Sequence, residues 1–239
     1  MESFFMKTLF SLFISLSSYA GFTQKIISTE QNITTHAAAS FYSAGGDLFQ
    51  NFKYKKLVDG TPYFKEEWMG GKVIMSGGFA YDSIYLRLDL LNNILHYLDQ
   101  AGREMIATTP VKAVILSDSS TGMKFRFIHS SYLTVSGKIE PGWYQLLTEG
   151  RALLLKRFVK NLNENRPYGS GALEQTIITF NTYFLLEEAL LTPVKKFKDL
   201  PALVKDKNDL LKAYIRTKDL SGRSDSDYTD LISYYNSLF

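Results

Sequence analysis

The stretch GGKVIMSGGFAYDSIYLRLDLLNNILHYLD, residues 70–99, decides the fold. Ile84, Leu86, Leu88 and Leu90 alternate with Tyr85, Arg87 and Asp89, the period of a strand with a core side and a water side. Gly77-Gly78 before this run and Asn92-Asn93 after it are turn formers, so the stretch reads as a β-meander.

Similar runs lie on both sides. Tyr63 to Trp68, Lys72 to Met75, Glu104 to Ala107, Val111 to Leu116, Lys124 to His129, Tyr132 to Val135, Trp143 to Leu147, Leu153 to Val159 and Thr176 to Phe184 read as strands. Between them stand Gly70-Gly71, Ala101-Gly102, Asp118 to Gly122, Ser136-Gly137, Pro141-Gly142 and Glu149-Gly150. No helical period intervenes, which excludes a parallel βαβ sheet and leaves an antiparallel sandwich or a partly closed barrel. Asn161 to Gly171 reads as a long polar loop. After Pro193 the period becomes helical: Leu203, Leu210, Leu211, Tyr214 and Ile215, a stop at Ser221-Gly222, a capping box from Ser224 to Asp227, then Tyr228, Leu231, Ile232 and Tyr235. The fold class is therefore α+β, a largely antiparallel meander with a C-terminal helical hairpin.

Four segments follow. Residues 1–24 read as a cleaved signal peptide, since Lys7 precedes the apolar run Thr8 to Leu16 and Ser18-Tyr19-Ala20 offers small residues at a cleavage site. Residues 25–60 form an arm or short helix, with Thr34 or Thr35 as N-cap and Gly45-Gly46 as stop. Residues 61–192 form the β domain, and 193–239 a helical hairpin packed on the sheet. The leader implies export to a periplasmic or extracellular place, peripheral to the outer membrane, with no transmembrane helix in the mature chain. The absence of cysteine excludes disulfides, thiol nucleophiles and thiolate metal sites. With Lys+Arg 27 against Asp+Glu 24, nothing points to nucleic acid.

The hairpin around Pro62-Tyr63 and Glu67-Trp68, the run Tyr85-Leu-Arg-Leu-Asp89, Leu155-Lys-Arg157, Tyr168-Gly169-Ser170 and the terminal Tyr234-Tyr235-Asn236 carry a resemblance. In these the chain resembles a group of uncharacterised exported proteins of Bacteroidetes-type bacteria. The resemblance implies export and attaches no activity.

No catalytic, cofactor-binding or metal-ligating residue is assigned by motif. Tyr168 to Gly171 lacks the Lys-Ser/Thr and helix of a phosphate loop, and Ser170 is not in a nucleophile elbow. His36 reads as a surface histidine. Asp225, Asp227 and Asp230 read as helix-capping acids rather than a calcium ladder. His96 depends on register: a loop Leu91-Asn92-Asn93 puts it on the apolar face beside Leu88 and Leu98, a loop Asn92-Asn93 puts it opposite Asp89, and the cleaner alternation favours the first. The reading is a noncatalytic envelope module that binds a partner protein, a glycan or a small ligand. A hydrolase would need Asp89, Asp99 or Glu104 to converge with His96 in one cleft. A third class, an outer-membrane barrel, meets Arg87, Arg126, Lys156 and Lys160 within its apolar bands. Trp68, Tyr85, Tyr97, Tyr132, Trp143 and Tyr144 read mainly as sheet packing.

Overall fold

The computed structural model describes residues 34–36, 38–43, 46–49, 57–166, 168, 173–204 and 206–239. The expected leader, part of the arm and Gly169 to Gly171 lie outside the described residues. The strands are β1 (Thr34–His36), β2 (Gly46–Leu48), β3 (Leu57–Asp59), β4 (Met69–Met75), β5 (Phe79–Asp89), β6 (Ile94–Leu98), β7 (Glu104–Ala107), β8 (Val111–Ser117), β9 (Lys124–His129), β10 (Trp143–Thr148), β11 (Ala152–Asn165), β12 (Glu174–Glu187) and β13 (Leu190–Val194). The helices are α1 (Ala38–Ser43), α2 (Leu200–Leu203), α3 (Asn208–Lys218) and α4 (Asp225–Asn236).

One open sheet runs β13-β12-β11-β10-β9-β8-β4-β5-β6-β7-β2. All pairings along it are antiparallel, while β1 and β3 add short parallel pairings to β5 and β12. The meander β4-β5-β6 is present, and Ile84, Leu86 and Leu88 are at most 1% exposed.

The order contains a geometric demand. β7 and β8 are joined only by Thr108-Thr109-Pro110, yet β6, β5 and β4 lie between them in the sheet. The chain from Ala107 to Val111 reaches about 14 Å at full extension. Four strand spacings in a flat sheet amount to about 19 Å. The five strands must therefore curl, and the run from Glu104 to Ser117 passes from pairing with β6 to pairing with β4 around a bend at Pro110. Leu86, Leu88, Leu95, Tyr97, Val114 and Leu116 fill the inside of this cup. Gly71, expected as a turn, lies within β4, where an added Cβ would come within 2.4 Å of the Ile115 carbonyl oxygen.

From β8 the sheet continues as a wing of sequential hairpins, β9 to β13, covered on both faces around Trp143 to Leu155 and Leu185 to Glu187. The 130–142 segment seals one face, packing Leu133 with Ile128, Tyr144 and Leu155. The terminal helices seal the other, where Leu211, Leu231, Ile232 and Tyr235 are fully buried with Leu154 and Leu185. Polar anchors fix that docking. The Asn236 side chain accepts from Ala152 N at 2.9 Å and donates to Ala152 O at 2.9 Å, standing in for a neighbouring strand. Lys156 donates to both Asp225 oxygens at 2.9 and 2.7 Å. The Tyr183 hydroxyl also donates to Asp225, and its ring stacks on Tyr228 at 4.0 Å. Gly222 has φ +73°, and a Cβ there would lie 2.2 Å from that of Phe197.

Several expected elements differ. Thr34 and Thr35 belong to β1 rather than capping a helix, which starts at Ala38. Residues 63–68 make a single bridge, Tyr63 with Asp89, followed by bends. Ser130–Tyr132 is a 3-10 turn in place of a strand, because the Ser130 hydroxyl accepts from Gly142 N and pins the loop. The polar loop is shorter than expected, since β11 and β12 extend through Asn165↔Glu174 as a ribbon, joined by β3 at Gln175 and Thr176, whose faces are largely wet and tolerate Asn and Glu. Pro193 lies within edge strand β13, where its missing N–H is tolerated.

Leu210, expected in the buried stripe, is 47% exposed, while Leu211 is 0%. Leu211→Ala therefore costs about 2–5 kcal/mol in urea unfolding, and Leu210→Ala less than about 0.5 kcal/mol. Equal losses would mean that α3 docks by another face.

Candidate functional site

The β5–β6 connection follows neither expected register. Asp89 pairs with Ile94 and Arg87 with His96, so the loop is Leu90 to Asn93, with Asn93 at φ 59°. The cause is the Asp89 carboxylate, which accepts from Leu91 N at 2.9 Å, Asn92 N at 2.8 Å and Asn92 Nδ2 at 2.6 Å. These bonds hold a longer turn than the hydrophobic alternation alone would choose. Leu95 and Tyr97 thus take the inner face, and His96 lies outside with Arg87 and Asp89. That outer face is not the water side at this end. Asp89 is 2% exposed and His96 0%, because Thr61 to Phe64 runs along the free edge of β5 and Tyr63 covers them.

Glu104, opposite Leu98 on β7, completes a polar chain. Its Oε1 accepts from Arg87 Nη2 at 2.7 Å and lies 2.8 Å from His96 Nδ1. His96 Nε2 stands 3.9 Å from Asp89 Oδ2 and has no hydrogen-bond partner. With Glu104 ionised, Nδ1 carries the proton and donates, leaving Nε2 as an acceptor facing a carboxylate. Burial holds the His96 pKa below 6.5, against the upward pull of Glu104 and Asp89. Rings enclose the imidazole edge-on, Phe49 at 4.5 Å and Tyr63 at 5.5 Å. The Arg87 guanidinium lies 4.0 Å over Tyr63 and 4.4 Å over Trp68. Burial pushes the Tyr63 phenol up to about 12. Lys160 Nζ, whose pKa burial lowers, donates to Thr61 O at 2.9 Å and Thr179 Oγ1 at 3.1 Å, fastening the segment beside Asp89.

Asp89, His96 and Glu104 thus converge, and Asp99 does not. Asp99 accepts from Ala101 N, Arg103 N and Arg103 Nε within its own turn. The histidine in this convergence has no exposed surface, Asp89 is buried and bound to its turn, and Glu104, 26% exposed, is committed to Arg87 and His96. A general acid or base needs reach to a substrate proton. Several other acids have structural partners. Asp82 pairs with Lys72 at 3.4 Å, Asp225 holds Lys156, and Asp227 accepts from Ser221, Gly222 and Arg223 backbone N–H groups. His36 packs against the Phe79 and Tyr81 rings. No group of histidines and acids among the described residues is arranged to hold a metal. Of the strand aromatics, Tyr97, Trp143 and Tyr144 are buried, while Tyr85, Phe79 and Phe180 are largely exposed.

An accessible concavity lies elsewhere, at the mouth of the cup. It has a volume of about 260 Å³ where the β5–β6 turn, the Pro110 bend and the start of the 130–142 segment meet, and its walls include Asn93, Thr108, His129, Ser131, Tyr132 and Trp143. None of its lining side chains is an acid, lysine or arginine. His129 accepts from Ser131 N at 3.4 Å, stacks edge-on against Trp143 at 5.2 Å, and is held below pKa 6.5 by burial. Trp143 Nε1 donates to Asn93 O at 3.3 Å, tying the wall to the turn that Asp89 holds. Sequence reasoning missed this site because its groups come from separated turns; the sole signal was the absence of charge in each. A second concavity, about 250 Å³, runs along Lys65, Trp68 and Ser117 to Ser120, and Lys65 pairs with Asp118 in its wall at 3.0 Å.

No protein-family model matches the chain, and no match to it was found among curated proteins or solved structures.

The two lowered histidines fix a pH dependence. The unfolded chain takes up imidazole protons near pH 6.5, while the folded state resists them to lower pH. Stability is therefore full above about pH 6.5 and drains as pH falls below it. His96→Asn, which keeps a donor for Glu104 but cannot titrate, lowers overall stability and flattens this slope in urea titrations between about pH 5 and 6.5. An unchanged slope would show that His96 titrates normally.

Proposed function

We propose that this protein is an exported, noncatalytic module of the cell envelope that binds a partner or ligand at the mouth of its cup. The observation that carries the reading is a separation: His96 and Asp89 are buried and committed with Glu104 to local structure, while the cavity at the mouth of the cup contains no carboxylate, lysine or arginine. A ligand site of this kind needs a concave, largely preformed wall with a few placed polar groups. Export rests on the leader pattern in residues 1–24.

The hydrolase reading draws on the convergence of Asp89, His96 and Glu104, and the absence of exposed His96 surface weighs against it. An outer-membrane barrel is disfavoured by the open ends of the sheet at β13 and β2 and by faces sealed with helices and loops.

Expression of the full chain in a Gram-negative host should yield a shortened product in the periplasmic or envelope fraction, extractable without detergent. The purified product should turn over no esterase, glycosidase, peptidase or phosphatase reporter. Turnover that disappears in folded His96→Asn protein would overturn the noncatalytic reading, and retention of the uncut chain in the cytoplasm would overturn export.

A further inference from the structure

We propose that the cavity at the mouth of the cup binds a single uncharged sugar ring. The inference rests on the binding-module reading and names its ligand class. Size comes first. About 260 Å³ falls just below the roughly 300–1,000 Å³ typical of drug-sized ligands, so the site holds one ring and not a chain. Charge comes second. A buried ionic group without a partner is costly, and the lining offers neither a carboxylate nor a lysine or arginine to pair with one.

The polar groups fit the same answer. Thr108 and Ser131 present hydroxyls and Asn93 a carboxamide, groups that can both donate and accept, as sugar hydroxyls do. His129 is uncharged, and because its Nδ1 accepts from Ser131 N, the proton is on Nε2, which makes that nitrogen a donor. Opposite polarity is supplied by Tyr132, only partly buried, whose carbon surface suits the C–H flank of a sugar ring, while Trp143, 4% exposed, lies almost wholly within the wall. The Trp143 N–H is already spent on Asn93 O, so the indole offers a ligand no donor and serves as a reporter within the wall.

The walls are also held in place before any ligand arrives. Asp89 clamps the turn that ends in Asn93, Pro110 stiffens the bend, and Ser130 exchanges hydrogen bonds with Gly142 through Ser130 N to Gly142 O at 2.8 Å and Gly142 N to Ser130 Oγ at 3.1 Å. A preformed site loses little entropy on binding, which is what a small weak ligand requires.

The chain has two tryptophans, so Trp68→Phe leaves Trp143 as the sole indole reporter. Glucose, galactose and N-acetylglucosamine are titrated into this variant, with glucuronate and glucosamine as charged counterparts. At least one neutral sugar should shift the Trp143 emission saturably, with a dissociation constant on the order of 1 mM. The charged counterparts should bind at least about tenfold more weakly, and Thr108→Val and His129→Ala should each weaken the neutral sugar severalfold with an unchanged circular dichroism spectrum. No saturable shift with any neutral sugar up to roughly 10 mM, or equal binding of charged sugars, overturns the proposal. In that event a blank reporter screen leaves the binding-module reading standing with a different ligand class, whereas turnover dependent on His96 removes the module reading itself.

Discussion

The bend at Thr108-Thr109-Pro110 is the constraint on which the rest of this structure depends. A link that short cannot join the two flanks of a flat five-strand array, so β4 to β8 wrap into a cup with an apolar inside. Everything else takes its place relative to that curl. The inner face receives Leu86, Leu88, Tyr97 and Val114; the outer face, covered by Thr61 to Phe64 at one end, receives Arg87, Asp89 and His96; and the mouth becomes the cavity.

Burying Arg87, Glu104, Asp89 and His96 together is costly unless the groups satisfy one another. They largely do. Glu104 serves both Arg87 and His96, Asp89 is saturated by the Leu91–Asn92 turn, and Tyr63 and Trp68 take the guanidinium faces. Removing one member strands the others, so the cluster is more effective at choosing one register for the β5–β6–β7 hairpins than at adding raw stability. The terminal helices use the same device at a distance. Lys156 with Asp225, Tyr235 with Glu187 at 2.7 Å, and Asn236 along the edge of Ala152 fix a docking that apolar contacts alone would leave free to slide.

What was legible in the sequence is what depends on period. The alternation from Ile84 to Leu90 marks the strand and its core face, and the stripe Leu211, Leu231, Ile232, Tyr235 marks the helical face that docks. What was not legible depends on side chains overriding period. Asp89 lengthens a turn and moves His96 to the other face; Ser130 converts an apolar run, Tyr132 to Val135, into a covering loop; pairing across a ribbon makes strand of the polar Asn161 to Asn165. The cavity was illegible for a further reason, since Asn93, Thr108, Ser131 and Trp143 become neighbours only once the cup has closed around the Pro110 bend.

The central claim is that His96 is an enclosed structural imidazole holding one proton on Nδ1 for Glu104. Long-range proton–nitrogen correlation spectra of the imidazole rings, recorded on the folded protein from pH 7.5 to 5.5, test it directly. The account predicts a predominantly neutral Nδ1–H tautomer for His96 at pH 6.5, where a free imidazole is half protonated, with an Nδ1 proton slow to exchange with water. A ring that titrates near 6.5 with rapid exchange would contradict it.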